Sequence, residues 1–184
     1  MDKGAECYSR YLSGDDSGLA EIITMYSLGI SLYINTMIGD ICLSEEIMQE
    51  TFVKLAVKKP HFSAKSSFKT WLFTIARNRA TDHLRYRKRF SSLSPDELFL
   101  PSDEEDIEKQ YIKEEQRIEL HKAMKRLNPE YSQALYLMYF EDMKTEEISS
   151  VMHRSKRSTG DLIYRAKKAL KAELERAGFE YEII

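Results

Sequence analysis

Thr145-Glu146-Glu147-Ile148-Ser149-Ser150-Val151-Met152, His153-Arg154-Ser155 and Lys156-Arg157-Ser158-Thr159-Gly160-Asp161-Leu162-Ile163-Tyr164-Arg165-Ala166-Lys167-Lys168 are three consecutive segments whose reading decides the fold. The first is a short helix opened by a hydroxyl and two acids, with Ile148, Val151 and Met152 facing inward. The second is a three-residue turn. The third starts a longer helix running to about Ala177, with Gly178 placed to end it. On a 3.6-residue wheel Thr159, Leu162, Ile163, Ala166, Leu170 and Leu174 share one side of that helix. Arg157, Asp161, Tyr164 and Lys168 occupy the other, with Lys156, Arg165 and Lys171 at its margins. A short capped helix, a tight turn and a second helix with one packing face and one donor-rich face make a helix-turn-helix, whose second helix enters the major groove of duplex DNA.

The expected contacts to bases and phosphates are Ser155, Lys156, Arg157, Gly160, Asp161, Tyr164, Arg165 and Lys168. Gly160, near the start of the second helix, marks a point of close DNA approach. Asp161 repels phosphate but can accept from a cytosine amino group, a sign of sequence reading rather than charge attraction alone. Two positions depart from the usual motif: His153 stands where the turn often has glycine, and Thr159 stands where the second helix often has a β-branched aliphatic residue.

Toward the N-terminus, Asn128-Pro129-Glu130 is a helix start with an amide cap, proline at the first helical position and then an acid. That helix carries Ala134, Leu135, Met138 and Tyr139 and ends near Glu141-Asp142. Before it, periodicity from about Ile112 places Ile118, Ala123, Met124 and Leu127 on one stripe. Residues 91–111 break the pattern. Pro95, Pro101 and a run of acids between Asp96 and Glu108, with little to bury, predict a flexible acidic linker.

Residues 1–90 read as a run of helices. Asp15-Asp16-Ser17 caps one through Leu19, Ile22, Ile23, Tyr26 and Ile30, and a more apolar stretch follows from Ser31 to Ile38. Ser44-Glu45-Glu46 opens another, which buries Ile47, Met48, Phe52 and Leu55 and stops before Pro60. A loop from His61 to Ser67 leads to a helix from Phe68 to about Arg89. Its apolar side is Trp71, Leu72, Ile75, Ala76, Ala80 and Leu84, with Trp71 taken as core. Its polar stripe is Thr70, Thr74, Arg77, Asn78, Thr81, Arg85 and Lys88, with Lys65 and Lys69 nearby and Asp82 the one acid. Hydroxyls, an amide and guanidinium groups in line, almost free of acids, suit phosphates and unstacked bases better than a plain solvated face does.

The bulk composition sets limits. The chain has 184 residues, enough for two small domains, and 32% are charged, yet its formal net charge is −2. A generally basic, histone-like binder is excluded, so any nucleic-acid surface must gather its positive charge locally. The cysteines Cys7 and Cys42 are far apart, and His61, His83, His121 and His153 are scattered. Neither set has metal-ligand spacing, and there is no phosphate-cradling glycine loop. No cofactor, metal, catalytic group or small-molecule substrate is expected, so the chain is read as no enzyme. The polar start and the lack of an apolar run near 18 residues predict no signal peptide and no membrane span, hence a cytoplasmic protein.

Ser44 to Leu55, Phe68 to Asn78 with Asp82-His83-Leu84-Arg85, and Thr145 to Leu170, in this order, resemble the extracytoplasmic-function branch of the sigma-70 family of RNA polymerase sigma factors. The likeness runs from about Tyr11 to Phe179. It implies an all-α protein of two small helical domains: a region 2 bundle over 1–90 and a region 4 helix-turn-helix over 112–184, joined by the linker. By that resemblance Glu46, Gln49, Glu50 and Val53 dock on a coiled coil of the polymerase's largest subunit. The helix after Phe68 binds the promoter's minus-ten element and holds its non-template strand open. His61, Phe62, Ser63, Lys65 and Ser66 then lie near a flipped base, with Lys69, Thr70, Thr74, Arg77, Asn78, Thr81, Arg85 and Lys88 along the helix. The helix-turn-helix reads the minus-thirty-five element as duplex. The implied partners are core RNA polymerase, promoter DNA and an anti-sigma factor.

The final helix departs from the family where Gly160-Asp161-Leu162 replaces a Lys-Ser-Arg-like run, so its base contacts rest on the wheel alone. Two other readings remain open. One is a stand-alone helix-turn-helix regulator, which would bind duplex operators without polymerase. The other is a degenerate sigma that occupies polymerase without selecting promoters.

Overall fold

A computed structural model describes residues 2–90 and 115–176. The expected linker over 91–111, the resumption of helix at Ile112, the Ile118 side chain and the Gly178 stop lie outside the described residues. Among the described residues the regular structure is entirely helical: α1 (Lys3–Leu12), α2 (Ser17–Ile38), α3 (Ile41–Lys58), α4 (Phe68–Phe90), α5 (Glu115–Lys125), α6 (Pro129–Tyr139), α7 (Thr145–Val151) and α8 (Lys156–Arg176).

The N-terminal bundle packs α1 to α4 together. Helix α1 has no counterpart in the sequence reading. Asp2 caps it, accepting from the Gly4 and Ala5 amides at 3.1 and 3.4 Å, and its other oxygen accepts from the Phe68 amide that opens α4. One carboxylate thus satisfies orphan N–H groups of two helices. Buried Tyr8 and Tyr11 donate to the Pro60 and Ala56 carbonyls at 2.8 and 2.9 Å, tying α1 to the end of α3. Tyr8, Phe62, Phe68 and Trp71 form one aromatic cluster, with ring centroids of the touching pairs 5.2–5.5 Å apart. Trp71 is half-buried there, packed against the core on the side that its place on the wheel predicts.

Three sequence expectations are corrected here. The capped helix and the apolar stretch after it are a single 22-residue helix, α2, because no proline interrupts the run. By length and composition α2 would suffice to cross a membrane, which amends the reading that no apolar run approaches a span. In this fold it buries Ile22, Ile30, Tyr33, Ile34, Met37 and Ile38 among its neighbours. Helix α3 starts at Ile41 rather than Ser44: the Asp40 side chain accepts from the Leu43 amide at 3.1 Å, and Ser44 is buried inside the first turn. Ile47, Phe52 and Leu55 are buried as expected, and Met48 is half-buried.

In the C-terminal part, Asn128 accepts from the Glu130 amide at 2.9 Å with Pro129 at the first helical position, as the sequence predicts. Helix α6 is buried without a break from Ser132 to Leu137. It lies between α8 on one side and α2 of the N-terminal bundle on the other, so a single apolar stripe cannot describe it. The two bundles therefore pack on each other, through α2 with α6 and α4 with α7.

Candidate nucleic-acid interface

The helix-turn-helix has the expected form, with one change at its start. Helix α7 is capped at Lys144, whose amide donates to Glu147 Oε2 at 3.0 Å, so Thr145 is the first helical residue and not the cap. Ile148, Val151 and Met152 are buried. His153 has φ 53°, the left-handed conformation that explains why glycine is common at this turn. Thr159, Leu162, Ile163, Ala166, Leu170 and Leu174 are the buried residues of α8, the same six that the wheel selects. The Thr159 hydroxyl donates to the Ser155 carbonyl at 3.0 Å, so its replacement of an aliphatic residue leaves no unsatisfied group.

The opposite face of α8 is open. Lys156, Arg157, Gly160, Asp161, Tyr164, Arg165 and Lys168 are all exposed, Tyr164 at 73%. Lys156 pairs with Glu146 of α7. Gly160 has nothing within 4 Å of where a Cβ would sit, so no neighbour within the protein requires its missing side chain. Ser155 acts locally, its hydroxyl accepting from the Ser158 amide at 3.2 Å.

The polar stripe of α4 divides into two parts. Arg85 and Lys88 are exposed, as are His61, Ser63, Lys65 and Ser66 in the preceding loop, while Phe62 is turned into the aromatic cluster. The Thr74 and Thr81 hydroxyls donate back to the carbonyls of Thr70 and Arg77 at 2.7 and 2.8 Å. Both side chains are half-buried.

The other part lies against the C-terminal bundle, with Thr70 buried, Lys69 half-buried and Asn78 still exposed. Lys69 Nζ donates to the Glu141 carbonyl at 2.7 Å and pairs with its carboxylate at 2.6 Å. Thr70 is 1% exposed, and its hydroxyl and that of Ser67 each lie 3.0 Å from Glu147 Oε1. Asn78 Oδ1 meets His153 Nε2 at 2.8 Å. Arg77 lies near the hydroxyl of the buried Tyr33, whose pKa is raised by burial, with Arg77 opposing. Burial raises the Glu141 pKa, with Lys69 opposing. At Glu147 burial pushes up too, but the Lys144 amide and the Ser67 and Thr70 hydroxyls outweigh it and the pKa is lowered.

On α3 the predicted docking residues form one surface. Glu46, Gln49, Glu50 and Val53 line a shallow groove with Val57 and with Arg79 of α4. Val53 and Val57 are 58% and 69% exposed, and Glu50 is ion-paired with Arg79 at 2.8 Å. Val57 was missed in the sequence although it follows Val53 by four residues, one turn along the same face. Among the described residues no group of three or more His, Cys, Asp or Glu side chains is arranged to hold a metal ion.

A helical bundle with a polar α4, followed by a helix-turn-helix with an open basic face, defines a two-domain helical protein built for DNA. Residues 33–90 match Sigma-70 region 2, and residues 117–170 match Sigma-70, region 4. The ECF RNA polymerase sigma factor SigM of Bacillus subtilis (strain 168) is 31% identical over 155 residues, spanning 83% of this chain and 92% of that protein. The RNA polymerase sigma-H factor of Pseudomonas aeruginosa is 26% identical over 184 residues, 95% of each. In fold the chain is similar to the sigma factor RpoE of Bartonella quintana, solved with the anti-sigma factor NepR, at a TM-score of 0.67 and 20% identity, covering 85% of this chain and 96% of that one. It is also similar to CnrH, solved with the cytosolic domain of CnrY, at 0.66 and 18%, covering 95% and 99%. The chain belongs to the extracytoplasmic-function branch of the sigma-70 family. It is a sigma factor, which binds core RNA polymerase and directs it to promoter DNA.

Proposed function

We propose that the work of initiation is divided between residues 1–90, which dock on polymerase and open the minus-ten element, and residues 112–184, which read the minus-thirty-five element as duplex. Residues 91–111 tether the two. The observation that carries this is the face of α8: a side fully packed on its own bundle, and a side offering Arg157, Asp161, Tyr164, Arg165 and Lys168 to solvent. On α4, Arg77, Asn78, Arg85 and Lys88 bind the non-template strand, and the loop from His61 to Ser66 receives a flipped base. Taking a base out of the stack costs a few kcal/mol, which contacts to the single strand offset. The chain supplies binding energy only and is not an enzyme; bond-making stays with the polymerase, and the site of action is the cytoplasm. Glu46, Gln49, Glu50 and Val53 contact the polymerase. The relatives solved with anti-sigma factors make such a protein a candidate partner here too.

Run-off transcription with core polymerase and a genomic DNA library tests the reading. Added protein creates new start sites, and the Arg77→Ala/Asn78→Ala double variant binds core but fails to open promoters. Operator binding without core, and no new start sites, would favour a stand-alone regulator instead.

A further inference from the structure

Between Lys156 and Lys171 helix α8 carries one acid, Asp161, exposed on the same face as Arg157, Arg165 and Lys168. A carboxylate on that face lowers affinity for any duplex, because the phosphates repel it. The other acids of α7 and α8 have partners within the chain. Glu146 pairs with Lys156, Glu147 accepts from the Lys144 amide, Glu173 pairs with Arg176 and Glu175 with Lys171. Among the described residues no cation holds the Asp161 carboxylate, although Arg157 and Arg165 stand four residues to either side. Arg165 turns to the Asp161 carbonyl instead, its Nε donating at 3.3 Å.

Gly160 stands immediately before this acid. Glycine inside a helix costs about 1 kcal/mol relative to alanine, and no atom of the protein lies near enough to a Cβ here to require it. The two oddities explain each other. An aspartate carboxylate sits on a short arm, so it reaches a base edge only where the helix backbone comes close to the groove floor. A residue without a side chain permits that approach.

The major groove offers one base that suits a lone acceptor. Cytosine presents its N4 amino donor alone, whereas adenine sets N7 beside its amino group, guanine shows N7 and O6, and thymine shows O4 and a methyl. Each of those acceptors repels a carboxylate. We propose that Gly160 and Asp161 form a cytosine reader, in which Asp161 accepts from the N4 amino group of one cytosine in the minus-thirty-five element. This rests on the assignment of α8 to that duplex. Selectivity comes from rejection as much as attraction: against any other base the carboxylate loses water and meets no donor.

The test uses holoenzymes, core polymerase with the full chain or a variant, on a library of randomised duplexes whose bound fraction is sequenced. Wild type is expected to enrich a motif with one position fixed as cytosine, and Asp161→Ala to lose selectivity at that position alone. The Asp161 side chain has no partner in the fold, so this variant should melt as wild type does. On single duplexes, Asp161→Ala should bind the cytosine sequence about tenfold weaker, as for one mismatched base pair. It should bind sequences with another base there more tightly, because the repulsion is gone. N4-methylcytosine at that position keeps the base pair but puts a methyl where the groove-facing hydrogen was. It should weaken wild type about tenfold and leave Asp161→Ala unchanged. Gly160→Ala should melt higher yet lose the cytosine preference. Equal tightening of Asp161→Ala on every duplex makes the acid mere repulsion and overturns the proposal, as does N4-methylation without effect on wild type. A cytosine preference that persists in Gly160→Ala overturns the close approach. The assignment of α8 fails separately, by an enriched motif and an affinity that Arg157→Ala/Lys168→Ala leaves unchanged.

Discussion

Val53→Ala/Val57→Ala should weaken polymerase binding by about ten- to thirtyfold and leave the fold untouched. The two side chains are already 58% and 69% exposed, so truncating them removes little internal packing. Each truncation removes about two methylene equivalents, or ~1.6 kcal/mol of apolar burial if the side chain passes from full exposure to full burial. Scaled by the fraction still exposed in the free protein, this becomes about 0.9 kcal/mol at Val53 and about 1.1 kcal/mol at Val57. Their sum, about 2 kcal/mol, corresponds to about thirtyfold in Kd, and incomplete burial on docking lowers it toward tenfold. The assay is competition between labelled wild-type protein and unlabelled variant for core polymerase, with thermal melts of the variant alone. A Kd within twofold of wild type would refute the docking assignment of α3. A melting point lowered by more than a few degrees would show instead that the groove is part of the core.

Further outcomes follow from other places in the fold. Asn128→Ala removes the cap of α6 and should cost about 1 kcal/mol, read as a lower melting temperature of the C-terminal bundle. Leu135→Ala, at a position 0% exposed between α8 and α2, should cost about 2–5 kcal/mol in denaturant unfolding. Gly160→Ala meets open space in a helix interior, so it should stabilise α8 by about 1 kcal/mol. If DNA approaches the backbone there, the same change weakens duplex binding in a gel-shift assay with a minus-thirty-five duplex. Glu21 accepts from Arg10 at 2.5 Å, and that hydrogen bond first, then the Cys7 thiol, lowers its pKa against burial. A lowered carboxylate pKa stabilises the fold at neutral pH and ceases to as pH falls through the folded-state value. NMR titration should therefore find the Glu21 pKa lowered in wild type and raised toward the ordinary glutamate range in Arg10→Ala, with the Cys7 thiol still holding it down.

What the sequence made legible follows the range of the forces involved. The six buried residues of α8 and the Asn128–Pro129 start are set by periodicity and capping within a few turns and are as read, while Trp71, read as core, is half-buried against it. Helix α1 escaped because its anchor, Asp2, acts partly through Phe68, 66 residues away, and its tyrosines reach the Pro60 and Ala56 carbonyls. The start of α3 was misplaced by a plausible local signal, Ser44, when Asp40 had already capped the first turn. The second buried face of α6 was invisible for the same reason as α1. Tyr136 packs against Tyr33 at 6.2 Å between ring centroids, a contact between residues 103 apart that no window of sequence contains.

That contact bears on how firmly the two bundles are joined. Tyr33 and Tyr136 are almost fully buried among Phe73 and Phe140, and polar pairs complete the contact between the bundles: Lys69 with Glu141, Ser67 and Thr70 with Glu147, Asn78 with His153. Thr70 is 1% exposed and the Glu141 side chain 12%, so these two contacts are shielded from water, and leaving either group without its partner would cost more than breaking a surface contact does.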